Sequence, residues 1–228
     1  MDTAPSHNDP GPAPARTRRR GLNALLPLWA LGLLLGGAAV VRYATTEGTR
    51  GAAPDRWPGS ELVTPREGRS TLLLFAHPQC PCTAASLREL GNAIEAQGQQ
   101  VDAYALFLDP GSMEEGWTRD DIWEVGEQQA GLTCLPDPDG SEAVRFGART
   151  SGQVLLYDAQ GRLGFQGGVT GSRGHDGPSR GRARLEAAME AARGGTSRAA
   201  SASDAVFGCP IVEDSGPCPP APDAPPQS

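Results

Sequence analysis

The sequence predicts an α/β fold: a mixed β-sheet flanked by helices, carried behind an N-terminal transmembrane helix. Three observations carry that prediction. Short apolar runs alternate with stretches of helical period, in the order strand, helix, strand, helix, and close with a hairpin and a last helix. Residues 22–41 contain no charge and are dominated by Leu, Ala, Gly and Val. At about 1.5 Å per residue, such a helix spans a bilayer core of about 30 Å. Finally, the apolar run Leu72–Ala76 leads into Cys80-Pro81-Cys82, and a helix-compatible stretch follows at once. That order sets a thiol at a helix N-terminus, where unpaired N–H groups and the positive end of the macrodipole favour thiolate.

The elements follow from local pattern. A strand is predicted over 71–76 and a helix near 82–97, in which Ala85, Leu87, Leu90 and Ile94 form an apolar stripe and Gly98 is placed to end it. Residues 101–108 form a second strand, stopped by Asp109-Pro110-Gly111. A helix near 118–130 carries Ile122, Trp123 and Val125, with Trp117 and Trp123 read as core. Residues 132–135 make a short strand, and Asp137-Pro138-Asp139-Gly140 turns into a short helix around 143–146. The clearest hairpin joins 153–157 to 162–165 through Asp158-Ala159-Gln160-Gly161. A final helix over about 179–193 holds Leu185, Ala188 and Met189 on one side.

Five segments result: an Arg-rich N-terminus (1–21), an anchor (22–41), a linker (42–67), one domain (68–193) and a Pro/Ser-rich tail with two cysteines (194–228). Linker and tail lack an apolar period and read as tether and extended chain. Arg16, Arg18, Arg19 and Arg20 precede the span and Arg42 alone follows it, so the N-terminus is expected in the cytoplasm. A cleaved signal peptide has a shorter apolar region, about 7–15 residues, so the uncleaved anchor is the preferred reading. The domain then faces the periplasm from the inner (cell) membrane.

A net charge of −7 argues against a nucleic-acid partner. All basic residues are Arg, which excludes lysine chemistry. Five cysteines (80, 82, 134, 209 and 218) in an oxidising compartment are expected to pair or react.

The strand–cysteine pair–helix order is followed by Asp-Pro-Asp-Gly-Ser-Glu-Ala-Val-Arg-Phe-Gly-Ala from Asp137 and by the hairpin with Tyr157-Asp158 and Gly161-Arg162. Together they resemble the thioredoxin superfamily, and above all its membrane-anchored, exported branch. Ser172-Arg173-Gly174-His175 and Val206-Phe207-Gly208-Cys209-Pro210 are also similar to exported redoxin-like proteins labelled RedB. The resemblance covers residues 68–193 and implies a thioredoxin-like sheet. It also implies thiol–disulfide exchange, with exported thiol or disulfide proteins and a membrane electron donor as partners. Two positions depart from the family pattern. The family motif is Cys-x-x-Cys, but here Gln79 stands where its first cysteine would if Cys82 takes the second position. Gly152 occupies the slot before the hairpin where the family has a cis-proline.

Cys80 and Cys82 are therefore the candidate catalytic pair, one attacking a disulfide and the other resolving the mixed disulfide. No cofactor or metal is assigned. The alternative function is copper binding or delivery through the same cysteines, with His77 as a third ligand in His-x-x-Cys-x-Cys; a third is a non-catalytic thioredoxin-like module. A peroxidase is disfavoured, because His77 and Leu73 fill the Thr and Pro positions of peroxide-reducing relatives. Cys209 and Cys218 are expected to form a structural disulfide; in the sharper alternative, a tail cysteine reaches the Cys80 site as a resolving thiol. Cys134 is expected to pack in the interior or, as the resemblance allows, to serve as an extra partner thiol, and His175 to be a loop residue.

Overall fold

The computed structural model describes residues 16–97, 101–113, 116–119, 121–194 and 202–211. The chain divides into two units, Met1–Tyr43 and Ala44–Ser228. The described part of the first is most of a long helix, α1 (Arg16–Thr45), with Pro27 inside it. Its Leu25–Thr45 stretch has a mean hydropathy of 1.8 and is long and apolar enough to cross a membrane.

The second unit is a six-stranded sheet in the order β3-β2-β1-β4-β5-β6. β1 (Ser70–Ala76), β2 (Val101–Asp109) and β3 (Leu132–Pro138) run parallel. β4 (Gln153–Tyr157) is antiparallel to β1, and β5 (Leu163–Gly167) is antiparallel to β4. The parallel strands need crossovers, which α2 (Pro81–Gln97) and α3 (Asp121–Glu127) supply. α4 (Ser141–Arg145) follows β3, and α5 (Arg180–Arg193) follows the hairpin.

Strand alternation divides the core into two layers. Leu72, Leu74 and Ala76 pack with Leu87, Leu90 and Ile94 of α2, Trp123 of α3, and Leu185 and Met189 of α5. Leu73 and Phe75 face the other way, toward Phe146, Tyr157 and Val63. β1 is buried on both faces because it lies centrally, which is why it reads as an unbroken apolar run.

Boundaries differ where tertiary pairing sets them. α3 is shorter than its pattern predicts, because the chain turns at Gln129 and at Gly131, whose φ is +80°, to enter β3. β3 runs on to Pro138 because β2 offers a parallel partner as far as Asp109. Gly98, expected to end α2, lies outside the described residues.

The stretch read as a tether is instead packed onto the domain from Ala44 onward. Trp57 N–H donates to the Gly161 carbonyl at 2.8 Å, and Leu163 N–H to Asp55 O at 2.9 Å. The Trp57 ring meets Phe146 and Tyr157 edge-on at 4.9 and 5.3 Å, and Val63 is buried. A few large apolar residues, too sparse to show a period, hold it to the second face of the sheet. The tail differs in the same way. β6 (Ala202–Ser203) pairs parallel with β5, and Val206, Phe207 and Ile211 are buried.

Candidate active site

The site is built where β1 ends. Pro81 opens α2, a position suited to its fixed φ and missing N–H. Cys80 stands just before it, completely buried, and its carbonyl accepts from Thr83 N–H at 2.9 Å. Cys82 lies in the first turn and is half-buried.

A second wall comes from the loop before β4. Ser151 Oγ lies 2.6 Å from Thr83 Oγ1 and accepts from His77 N–H at 2.8 Å, tying this loop to the start of α2. Gly152 takes φ +87° and donates its N–H to the Phe75 carbonyl at 2.8 Å. A Cβ there would lie 2.7 Å from Ser86 Oγ, so the position needs glycine on two counts. The chain contains no cis peptide among its described residues, so the family's cis-proline has no counterpart at this turn.

The third wall is the tail. Ser151 N–H donates to Cys209 O at 2.8 Å, and Ile211 N–H donates to Arg149 O at 3.0 Å. These bonds flank an antiparallel bridge between Thr150 and Pro210. The Cys209 side chain and backbone N–H both hydrogen-bond to the Cys80 sulfur. The fourth wall is the loop after β5: the Arg173 guanidinium hydrogen-bonds to Cys82 and donates to the Gly208 carbonyl. That loop is fixed in turn by Glu89 of α2, which accepts from Gly177 N–H at 2.8 Å and pairs with Arg182 at 2.7 Å.

The electrostatics single out one sulfur. Burial opposes ionisation of Cys80, but donors from the Cys209 thiol and N–H, the Thr83 hydroxyl and the Cys82 N–H together outweigh it. The Cys80 thiol is held below its ordinary range, as four donors aimed at one sulfur should achieve. Cys82 is pushed up by burial and by the neighbouring Cys80 charge, against the pull of Arg173. Burial, and then its contact with Cys80, push Cys209 up to about 12. The group can thus hold one thiolate and keep two thiols protonated beside it.

Of the residues singled out by sequence, the fold brings Cys80 and Cys82 together and adds Cys209. His77 does not join them as a metal donor. Its Nδ1 accepts from Gln79 N–H at 3.1 Å, and its ring meets the half-buried Trp117 edge-on at 5.6 Å. Among the described residues no group of three His, Cys, Asp or Glu side chains is arranged to hold a metal ion. Cys134 is half-buried beside Gly126, near the start of β3, and burial pushes it up to about 12. His175 is exposed in its loop, and Cys218 lies outside the described residues. Sequence reasoning missed Arg173, Thr83 and Ser151. Only the likeness around residues 172–175 touched the first, and no local pattern marks the other two.

Three parallel strands followed by an antiparallel pair, with the cysteines where the first strand meets its helix, make a thioredoxin-like fold. The similar solved structures include a hypothetical protein from Sinorhizobium meliloti, 26% identical, with a TM-score of 0.53 over 73% of this chain and 93% of that one. An uncharacterised conserved protein from Geobacillus kaustophilus is 16% identical, with a TM-score of 0.54 over 75% of this chain and 95% of that one. A secreted Mycobacterium tuberculosis disulfide oxidoreductase homologous to E. coli DsbE matches more distantly, at 18% identity and a TM-score of 0.39 over 55% of this chain and 83% of that one. No protein-family model matches the sequence, and no curated protein matches it.

Proposed function

We propose that this chain is a membrane-anchored thiol–disulfide oxidoreductase of the RedB-like kind, working on exported proteins at the periplasmic side of the inner membrane. One observation carries the reading: the Cys80 sulfur, at the N-terminus of a 17-residue helix, is met by donors from Thr83, Cys82 and Cys209 that favour its thiolate. A thiolate is the nucleophile of disulfide exchange. Cys80 attacks a substrate disulfide, and a neighbouring thiol then displaces the substrate from the mixed disulfide. Cys82 is the neighbour in sequence and Cys209 the neighbour brought by the fold.

The N-terminal apolar helix supports work at a membrane. Leu25–Thr45 is apolar enough to span one, and the arginines before it favour a cytoplasmic N-terminus. An electron donor in the same membrane, of dithiol chemistry, would return the site to its reduced state. The two segments that carry the RedB-like resemblance also meet at the site, Arg173 donating to the Gly208 carbonyl.

The test is a glutathione redox titration of the full chain in detergent, with thiols read by alkylation and peptide mass spectrometry. A reversible two-electron transition of Cys80, roughly between −120 and −270 mV as for known oxidoreductases, is expected. Cys80 remaining a thiol across the whole range would overturn the reading.

A further inference from the structure

Cys209 is separated from Cys80 by most of the domain, and it arrives on a segment that is fixed along its length. Asp204 N–H donates to Gln166 O at 3.2 Å, Gly168 N–H to Ala205 O at 3.1 Å, and Gly48 N–H to Val206 O at 2.8 Å. Asp204 is paired with Arg180 at 3.2 Å and Arg184 at 3.3 Å. Val206 is fully buried, and a Cβ on Gly208 would lie 1.9 Å from the Ser151 carbonyl oxygen. Backbone pairing at Ser151 and Arg149 holds the segment here, and the Cys209 side chain and N–H hydrogen-bond to the Cys80 sulfur. So many independent fixings for a ten-residue segment argue that the contact between the two sulfurs is selected by the fold.

We infer that Cys209, carried on the docked segment 202–211, is the resolving thiol of this site and forms its redox disulfide with Cys80. The inference rests on the exchange reading above and names its second sulfur. Cys82 is the poorer candidate on geometry. Its side chain also hydrogen-bonds to Cys80, but the two residues are joined through Pro81 alone, whose φ is fixed. Closing an 80–82 bridge must satisfy a near-perpendicular S–S dihedral within that first turn. Cys209 comes from a separate extended segment and meets no such constraint.

The steps balance. The Cys80 thiolate displaces one sulfur of a substrate disulfide, forming a Cys80–substrate bridge and releasing a thiolate that takes a proton from water. Cys209 then loses its proton to water and attacks the Cys80 sulfur, expelling the second substrate sulfur as thiolate. Two electrons have passed to the substrate, and a dithiol reductant reopens the Cys80–Cys209 bridge by the reverse exchange. The electrostatics favour this order. Once Cys80 is in a mixed disulfide its negative charge is gone, so burial and Cys82 alone still hold the Cys209 proton while Arg173 favours its loss.

The experiment oxidises the full chain in detergent with glutathione disulfide, blocks free thiols and maps bridges by peptide mass spectrometry. It uses the wild type and the Cys82→Ser, Cys209→Ser and Cys80→Ser variants. The expected result is a Cys80–Cys209 bridge in the wild type and in Cys82→Ser. In Cys209→Ser, glutathione trapped on Cys80 should rise about tenfold or more, since a tethered thiol at mM effective concentration has been removed. A Cys80–Cys82 bridge that persists unchanged in Cys209→Ser overturns the inference and leaves the exchange reading standing. A Cys209–Cys218 bridge beside a Cys80 that turns over reversibly does the same. A Cys80 that takes up no glutathione in any of the proteins overturns both.

Discussion

The Cys80 sulfur owes its character to donors from two parts of the chain, the first turn of α2 and the tail, so its ionisation reports on the assembled site. Removing the Thr83 hydroxyl in Thr83→Val takes away one of those donors and should move the pH profile of Cys80 alkylation toward alkaline pH. The same variant frees Ser151 from its 2.6 Å contact, so the loop before β4 should exchange its amide hydrogens faster. Linkage gives a second check on the reduced protein. A folded-state value held below the ordinary 9.0 adds stability at Cys80 that is complete above pH 9 and lost as pH falls through the depressed value. Cys134, pushed from 9.0 up to about 12, acts in the opposite sense: its stability is complete below pH 9 and lost as pH rises toward 12. The thiols' joint contribution should therefore be greatest near pH 9, measured by urea unfolding across pH. Cys134→Ala should reduce the alkaline decline and leave the acid side unchanged.

Two turns decide how the elements meet at the site. Gly152 combines φ +87° with a Cβ position 2.7 Å from Ser86 Oγ, and Gly152→Ala should cost about 1–3 kcal/mol of unfolding free energy. At α4 the N-cap is Gly140, which has no side chain to offer. Asp137 supplies the acceptor instead, taking Glu142 N–H at 2.8 Å and Ala143 N–H at 2.9 Å. Asp137→Ala should cost about 1–2 kcal/mol, since two buried N–H groups lose their partner. This explains the Asp-Pro-Asp-Gly run physically: Asp139 (φ 52°) and Gly140 (φ 68°) turn the chain so that Asp137 caps the helix. These elements were legible in the sequence because each has its own period and its own turn residues. β1, α2, β2, the hairpin and α5 lie within a few residues of where pattern alone sets them. The ends of α3 and β3 were not, because a neighbouring strand and a turn fix them.

On the scale of the molecule, the sheet domain is enclosed by the two stretches that flank it in sequence. Trp57 and Val63 on the N-terminal side cover one face, and residues 202–211 on the other side cover the thiols. Removing residues 1–43 should leave the domain's unfolding midpoint unchanged, because Ala44–Ser228 holds its own core. Starting the chain at residue 68 instead should lower it, because Trp57, Val63 and the bonds at Asp55 and Trp57 are lost. Val206→Asp with Phe207→Asp should release the tail and expose the fully buried Cys80, raising its native-state alkylation rate by about tenfold or more, since burying even one such apolar side chain is worth about 1.5–3 kcal/mol. An unchanged rate would show that Cys80 reaches solvent by another route.

The sequence by itself determined the strand–helix order, the apolar N-terminal helix and the position of Cys80 and Cys82 at a helix start, because all three are written in spacing within one element. Only the tertiary structure decided that Cys209, Arg173 and Ser151 share a site with Cys80, and that the flanking stretches pack onto the domain. The physical reason is that these contacts join residues far apart in the chain through backbone pairing and a few buried side chains. No periodicity or spacing along the sequence encodes such contacts.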